Sequence, residues 1–214
     1  MALKLIIEGI RNWNSIKSTA DFSTIERLFG KSTGYEIYIN SGRMIQDLTV
    51  DFHSYLACLD QKLFYCLIES SKDTEEQYNS KEGILPFISI CELFEKPFPE
   101  SDSLVIITPK EAEQLVNNWK TYKDLWIKEN VNIEDGFYNA LVIPKSDLKT
   151  DTNYSCYFAL KQNDSPIDFT ADLVLTDYQN QLVTNYYDLV RPVPPFKIGE
   201  LDKSRFFLLN LALK

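Results

Sequence analysis

The sequence predicts an α+β protein made of two related units in tandem, each a helix packed on a small, mainly antiparallel sheet. Three observations predict it. One helix, Thr108 to Glu129, is specified from its first residue; β-rich runs pair around short polar turns; and a series of short matches recurs in the same order in both halves of the 214-residue chain. The first unit covers residues 1–100, with an insertion at about 70–95, and the second covers 101–214, closing on an apolar C-terminal segment.

Residues 2–17 place Leu3, Ile6, Ile10 and Trp13 at helical spacing, with Ile7 and Ile16 near the same stripe, which predicts a first helix ending near Asn12-Trp13. Gly9 counts against it by about 1 kcal/mol relative to alanine. Asp21 or Ser23 caps a short second helix, Thr24 to Phe29, that Gly30 ends. Tyr35-Glu-Ile-Tyr-Ile alternates and is rich in strand formers. Thr49 to Leu59 and Leu63 to Glu69 then flank Asp60-Gln61-Lys62 as a hairpin. Ser70 to Gly83 is polar and charged, an exposed loop by composition, and Ile84 to Phe94 is a strand or a short helix. Lys96-Pro-Phe-Pro with Glu100-Ser-Asp-Ser marks the boundary between the units, because prolines and a polar tetrapeptide stop regular structure there.

The long helix follows from mechanism. Thr108 is a good N-cap, Pro109 occupies the first helical position where its missing N–H costs nothing, and Glu111 completes a capping box. Ala112, Leu115, Val116, Trp119, Tyr122 and Trp126 form an apolar stripe, so Trp119 and Trp126 are expected in the core. Beyond it lie an apolar run at Phe137 to Ile143, a turn or helix start at Pro144 to Leu148, and a strand at Tyr154 to Leu160. A hairpin of Ile167 to Leu175 and Leu182 to Tyr187 follows, around a turn at Asp177 to Gln181, and then Arg191-Pro-Val-Pro-Pro. Phe206 to Leu213 is a strand or helix folding back onto the body.

Set side by side, Asn12-Trp13 matches Asn118-Trp119, Tyr35-Glu-Ile-Tyr-Ile matches Tyr154-Ser-Cys-Tyr-Phe, and Val50-Asp-Phe matches Ile167-Asp-Phe. Asp60 matches Asp177, and Lys96-Pro-Phe-Pro matches Arg191-Pro-Val-Pro. Preserved order predicts a divergent duplication. The capped helix ending in Asn-Trp-Lys, the Tyr-x-x-Tyr strand, the Leu-Val-Leu-x-Asp hairpin and the Arg-Pro-x-Pro-Pro closer also resemble a group of short, uncharacterised bacterial proteins that often carry cysteines around the final proline motif. Val193 and Lys197 stand at those positions here. The resemblance covers about residues 105–197 and implies a shared fold without a particular activity.

Composition sets the class of partner. With 22 basic and 31 acidic residues the formal net charge is −9, which disfavours nucleic acid, whose phosphates demand clustered Lys and Arg. An acidic surface suits a basic protein partner, although ordinary acidic solubility is the simpler reading. The N-terminus lacks the pattern of a signal peptide and no apolar run reaches membrane-spanning length, so a soluble cytoplasmic protein with no membrane partner is expected. Cys58, Cys66, Cys91 and Cys156 have no C-x-x-C spacing and sit in apolar stretches, the setting of reduced, buried thiols; neither disulfides nor a metal site is expected.

Catalytic patterns are sparse. Gly30-Lys31-Ser32-Thr33 is no phosphate loop, because Ile25 stands where a Walker motif needs glycine. His53 lies in a strand whose neighbours Asp51 and Ser54 point to opposite faces, so a local triad cannot form, and a structural histidine is expected. Asp73, Glu75 and Glu76 read as loop carboxylates, and Asp60 with Asp177 as turn residues. No catalytic, cofactor-binding or metal-ligating residue is therefore assigned, and no cofactor. The expected function is a non-catalytic protein-protein interaction module, either an acidic inhibitor or immunity protein or a component of a bacterial or phage-like assembly. Tyr138, Tyr178, Tyr186, Tyr187 and Phe196 are its candidate partner-binding residues. The alternative is a small hydrolase or transferase with a site between the two units.

Overall fold

In the computed structural model the alternating runs become the strands of one curled, wholly antiparallel sheet of nine strands, ordered β8-β7-β6-β1-β4-β3-β2-β5-β9. The structure describes residues 1–19, 21–39, 50–99, 107–131, 137–144, 148–163, 165, 168–179, 182–188, 191–193 and 205–214. In chain order the elements are α1 (Leu3–Thr19), α2 (Phe22–Phe29), β1 (Gly34–Ile39), β2 (Phe52–Leu59), β3 (Lys62–Glu69), α3 (Glu75–Asn79) and β4 (Ser89–Phe94). After these come α4 (Pro109–Asn130), β5 (Ala140–Ile143), β6 (Thr152–Gln162), β7 (Phe169–Gln179), β8 (Leu182–Tyr187), β9 (Arg191–Val193) and α5 (Phe207–Leu213).

Locally specified elements form where their caps and turns place them. Asp21 caps α2 by accepting from the Thr24 amide at 2.9 Å, and both halves of the Thr108–Glu111 capping box are made at the start of α4. The β2–β3 turn is tighter than three residues: Leu59 pairs with Lys62, and Asp60 and Gln61 both take positive φ, 49° and 60°, as a type I′ turn requires. Neither is glycine, so the turn is strained, and Arg27 holds Gln61 through its Oε1 at 2.5 Å. The helix α1 runs on through Thr19 instead of ending near Trp13. Gly9, unfavourable by propensity, has a packing reason: a Cβ there would sit 3.0 Å from the Phe64 ring, so the small residue lets α1 lie close on the β2–β3 face.

Three clusters make the core. The largest joins α2, the C-terminal half of α4 and one face of β1, β2, β3 and β6, with Phe29 edge-on to Trp13, Trp119 and Phe158. A second lies on the other face of β2 and β3, where α1 and α5 supply Ile6, Ile10, Leu208 and Leu209. The third seats Ala112 and Val116 of α4 on Tyr157, Ala159, Val174 and Tyr186. Trp119 and Trp126 are in the core as their spacing predicts, whereas Tyr122 is 37% exposed and stacks on Phe169. The Trp13 indole N–H is buried without a hydrogen-bond partner.

The sheet does not divide into two units at residue 100. Strands β5 and β9 of the second half lie beyond β2, while β6, β7 and β8 extend from β1, so the first half's strands are flanked on both sides by the second's. The physical reason is hydrogen bonding: β6 satisfies β1 along all six of its residues, a ladder that an isolated first half could not supply. The matched strands Tyr35–Ile39 and Tyr154–Phe158 are in fact paired with each other, Tyr35 opposite Cys156. Gly34 permits this approach, since a Cβ on it would stand 2.0 Å from the Cys156 carbonyl oxygen. The described part of the proline stretch is no loose linker either, because Pro97 and Pro99 carbonyls accept from the Tyr157 and Tyr186 hydroxyls at 3.2 and 3.0 Å.

Several other expectations change. Residues 70–83 contain α3, capped by Thr74, and not only loop. The stretch 84–94 resolves into a 3-10 turn at Leu85–Phe87 and strand β4, and the C-terminal segment is the helix α5. Asp177 sits inside β7, fully buried, because that strand continues to Gln179. Within the turn or helix start at 144–148, residues 145–147 lie outside the described residues, as do the last two residues of the final proline motif, 194 and 195.

Candidate functional site

The most concentrated polar chemistry is a buried corner where β2 meets the start of α3. Successive β2 residues point to opposite faces, which puts His53 and Tyr55 on the same face. Asp73, brought there by the turn after β3 and fully buried, accepts from three donors. His53 Nδ1 lies 2.7 Å from its Oδ2, the Tyr55 hydroxyl donates to the same oxygen, and the Leu208 amide donates to Oδ1 at 2.9 Å. Phe206 packs over the His53 ring at 4.3 Å between centroids. Burial first, and then the negative charge of Asp73, hold the Tyr55 phenol well above its ordinary value.

A His–Asp contact is also the orienting half of a hydrolytic triad. Here the carboxylate's other donors are a tyrosine and the backbone of α5, and an aromatic ring covers the imidazole, so the arrangement ties the C-terminal helix to the sheet. His53 lies buried in β2, on the strand where its sequence places it. Asp73 was missed as a site residue, because every sequence neighbour of it is polar. The pattern Thr74-x-x-Gln77 could have revealed the helix that follows it, but not its burial.

The four cysteines are buried and free, and burial raises the thiol pKa of each, that of Cys91 to about 12. At neutral pH they are thiols, not the thiolates a nucleophile needs. Asp60 and Asp177 occupy unlike settings: Asp60 is exposed in its turn, while Asp177 is buried with Lys149 Nζ at 3.0 Å and the Tyr187 hydroxyl at 3.4 Å. A second buried carboxyl, Asp172, is pushed up to about 8 by burial and then by its hydrogen bond to Asp188. Among the described residues no three His, Cys, Asp or Glu side chains gather as a metal site requires, and no helix is long and apolar enough to cross a membrane.

Of the five aromatic residues expected at a partner surface, three are interior. Tyr138 bonds the Tyr65 hydroxyl at 2.8 Å, Tyr186 bonds Pro99, and Tyr187 stands edge-on to Tyr154. Their hydroxyls are satisfied inside the fold, which lets large amphipathic rings serve as core. Only the backbone of Tyr178 is described, in β7, and Phe196 lies outside the described residues.

An opening exists elsewhere. β1 and β4 are paired only at Gly34 with Phe94 and Tyr35 with Leu93; past that point β1 stays with β6 while β4 stays with β3. The notch between them is a cleft of about 450 Å³ with Ile37, Phe52, Leu67 and Cys91 among its lining, and Tyr38 and Ile90, 48% and 37% exposed, lie at its rim. Continuing the register would set Glu36 directly against Glu92, a like-charge cross-strand pair that destabilises a ladder. Glu36 is instead ion-paired with Lys96.

No family model, curated protein or solved structure matches the chain in comparisons with known proteins.

Proposed function

We propose that this chain is a non-catalytic protein-interaction module, an acidic protein that engages a basic protein partner in the cytoplasm, in the manner of an inhibitor or immunity protein or as a component of a larger assembly. The observation that carries the reading is the notch between β1 and β4. Two strand edges whose backbone groups on the notch side pair with no described residue, flanked by exposed Tyr38 and Ile90, are what a sheet offers to another chain. The net charge of −9 adds long-range attraction for a basic partner. The tandem ancestry of residues 1–100 and 101–214 belongs to the same proposal. It is supported by the ordered sequence matches and by Trp13 and Trp119, each edge-on to the one ring of Phe29.

The test is capture from native lysate with the tagged full chain, identification of what is bound at stoichiometric level, and repetition with Ile90→Lys. A protein recovered by the parent chain and lost with the variant supports the reading. If His53→Ala abolished the biological effect while fold and complex stayed intact, the hydrolase or transferase alternative would replace it.

A further inference from the structure

Resting on the reading of this chain as a binder of a basic protein, we infer a second contact surface: a groove between α1 and β4 that takes one amphipathic helix of the partner, its apolar side chains on the floor and Lys or Arg along its margins. The helix α1 lies over β2 and β3, since a Cβ on Gly9 would meet Phe64, Ala57 and Leu59 within 3.4 Å. Its two flanks are finished differently. At about 100° per residue Leu3, Ile7 and Arg11 fall on one side. There Leu3 and Ile7 pack into the cluster that α5 shares, and Arg11 Nε donates to the Ala212 carbonyl at 2.8 Å. Leu5 and Glu8 fall on the other side, and Leu5 is left 43% exposed.

Between that second flank and β4 is a groove of about 690 Å³. Leu5 stands on one wall, Leu59 and Phe64 lie beneath, and Ile90 of β4 is on the opposite wall. An occupant here lies on the face of the sheet and not at its edge, because β3 is already paired with β2 on one side and β4 on the other. It therefore has to satisfy its own N–H and C=O groups, which a helix does. The walls set its length. Met1 to Glu8 at about 1.5 Å per residue and Ile90 to Leu93 at about 3.3 Å per residue both give roughly 10 Å, about two helical turns. Anchors at i, i+3 or i+4, and i+7 match that span.

Charge names the partner's chemistry. Glu8, Asp60 and Glu92 line the groove against a single Lys62, and all four are exposed. No ion pair among the described residues holds any of them. An apolar floor inside a margin of three carboxylates to one ammonium favours a cationic amphipathic helix, while the net charge of −9 opposes a second copy of this chain. Ile90 borders the notch as well as the groove, so one partner can cover both. Leu5 lines only the groove and Tyr38 only the notch, which lets the two be tested apart.

The probe is a displayed library of random fourteen-residue peptides selected on the immobilised full chain, followed by calorimetry and circular dichroism with the tightest peptide. Expected are net-positive winners with apolar residues at helical spacing, helicity gained on binding, and affinity lowered about tenfold or more by Leu5→Lys and by the double variant Glu8→Lys with Glu92→Lys. Tyr78→Ala, outside the groove, leaves affinity unchanged, and melting curves establish that each variant is folded. Winners without that pattern, affinity indifferent to Leu5→Lys, or no winner at all would overturn the groove; a loss with the charge variant alone is unspecific attraction and overturns it too. Self-association of this chain abolished by Leu5→Lys overturns the choice of a foreign partner. The underlying reading fails separately. A partner captured from native lysate that tolerates Leu5→Lys but is lost with Tyr38→Lys sinks the groove and keeps the reading, whereas recovery of no partner protein sinks the reading whatever the peptides do.

Discussion

The corner around Asp73 and the notch between β1 and β4 lie in one sheet and settle their polar groups in opposite ways. At the corner, donors from β2 and α5 converge on one carboxylate until the arrangement is full. At the notch, two strands stop pairing after two residues and leave hydrogen-bonding groups turned toward a cleft. Buried groups must be paired, and groups at an opening need not be until something arrives. A complete network therefore marks where the fold is held, whereas at the notch no described residue completes one.

The contrast can be broken most forcefully at the carboxylate. Asp73→Ala strands three donors, each costing about 1–3 kcal/mol, and is expected to lower unfolding free energy by about 3–5 kcal/mol in urea titrations, with proteolysis entering at α5. A loss below about 1 kcal/mol would mean the corner is not what holds the helix. Next comes Gly34→Ala, whose methyl group collides with the Cys156 backbone and forces β1 off β6, at a cost of about 3 kcal/mol or a failure to express in soluble form.

A third expectation concerns Asp172, whose native pKa of about 8 lies above its unfolded value of about 3.9. The native state then keeps a proton that the unfolded chain has lost. This contribution is intact below about pH 4 and disappears as pH rises to 8, at no more than about 1.4 kcal/mol per unit. Asp172→Asn should flatten that decline in denaturation curves taken across the window, and an unchanged slope would sink the assignment. Thr108→Ala, which opens the capping box of α4, should cost about 1 kcal/mol in thermal melts. Smallest of all, Glu92→Lys at the open edge should shift stability by less than about 0.5 kcal/mol. A larger loss would show that the edge belongs to the finished part of the sheet.

What could be read from the chain was mostly what is local. The caps of α2 and α4 and the β2–β3 hairpin depend on residues within a few positions of one another, and all formed as their chemistry dictates. The pairing of β1 with β6 joins Tyr35 to Cys156, and nothing near either residue names the other. Asp73 is surrounded in sequence by Ser70, Ser71, Lys72 and Glu75, a solvated composition; its burial comes from His53, Tyr55 and α5. Likewise Tyr138, Tyr186 and Tyr187 stood outside the clear apolar stripes, and their interior positions follow from partners such as Tyr65 and Pro99 that only the fold supplies. Glu36 and Glu92 were visible from the start, but their conflict has no meaning until a register sets one against the other.

The Leu208 amide reaches an oxygen of a residue 135 positions earlier in the chain. The third donor to Asp73 and the aromatic cover of His53 therefore come from residues that follow every strand of the sheet in the chain. A chain cut off before residue 206 would lack both the Phe206 ring over the imidazole and the Leu208 amide on the carboxylate.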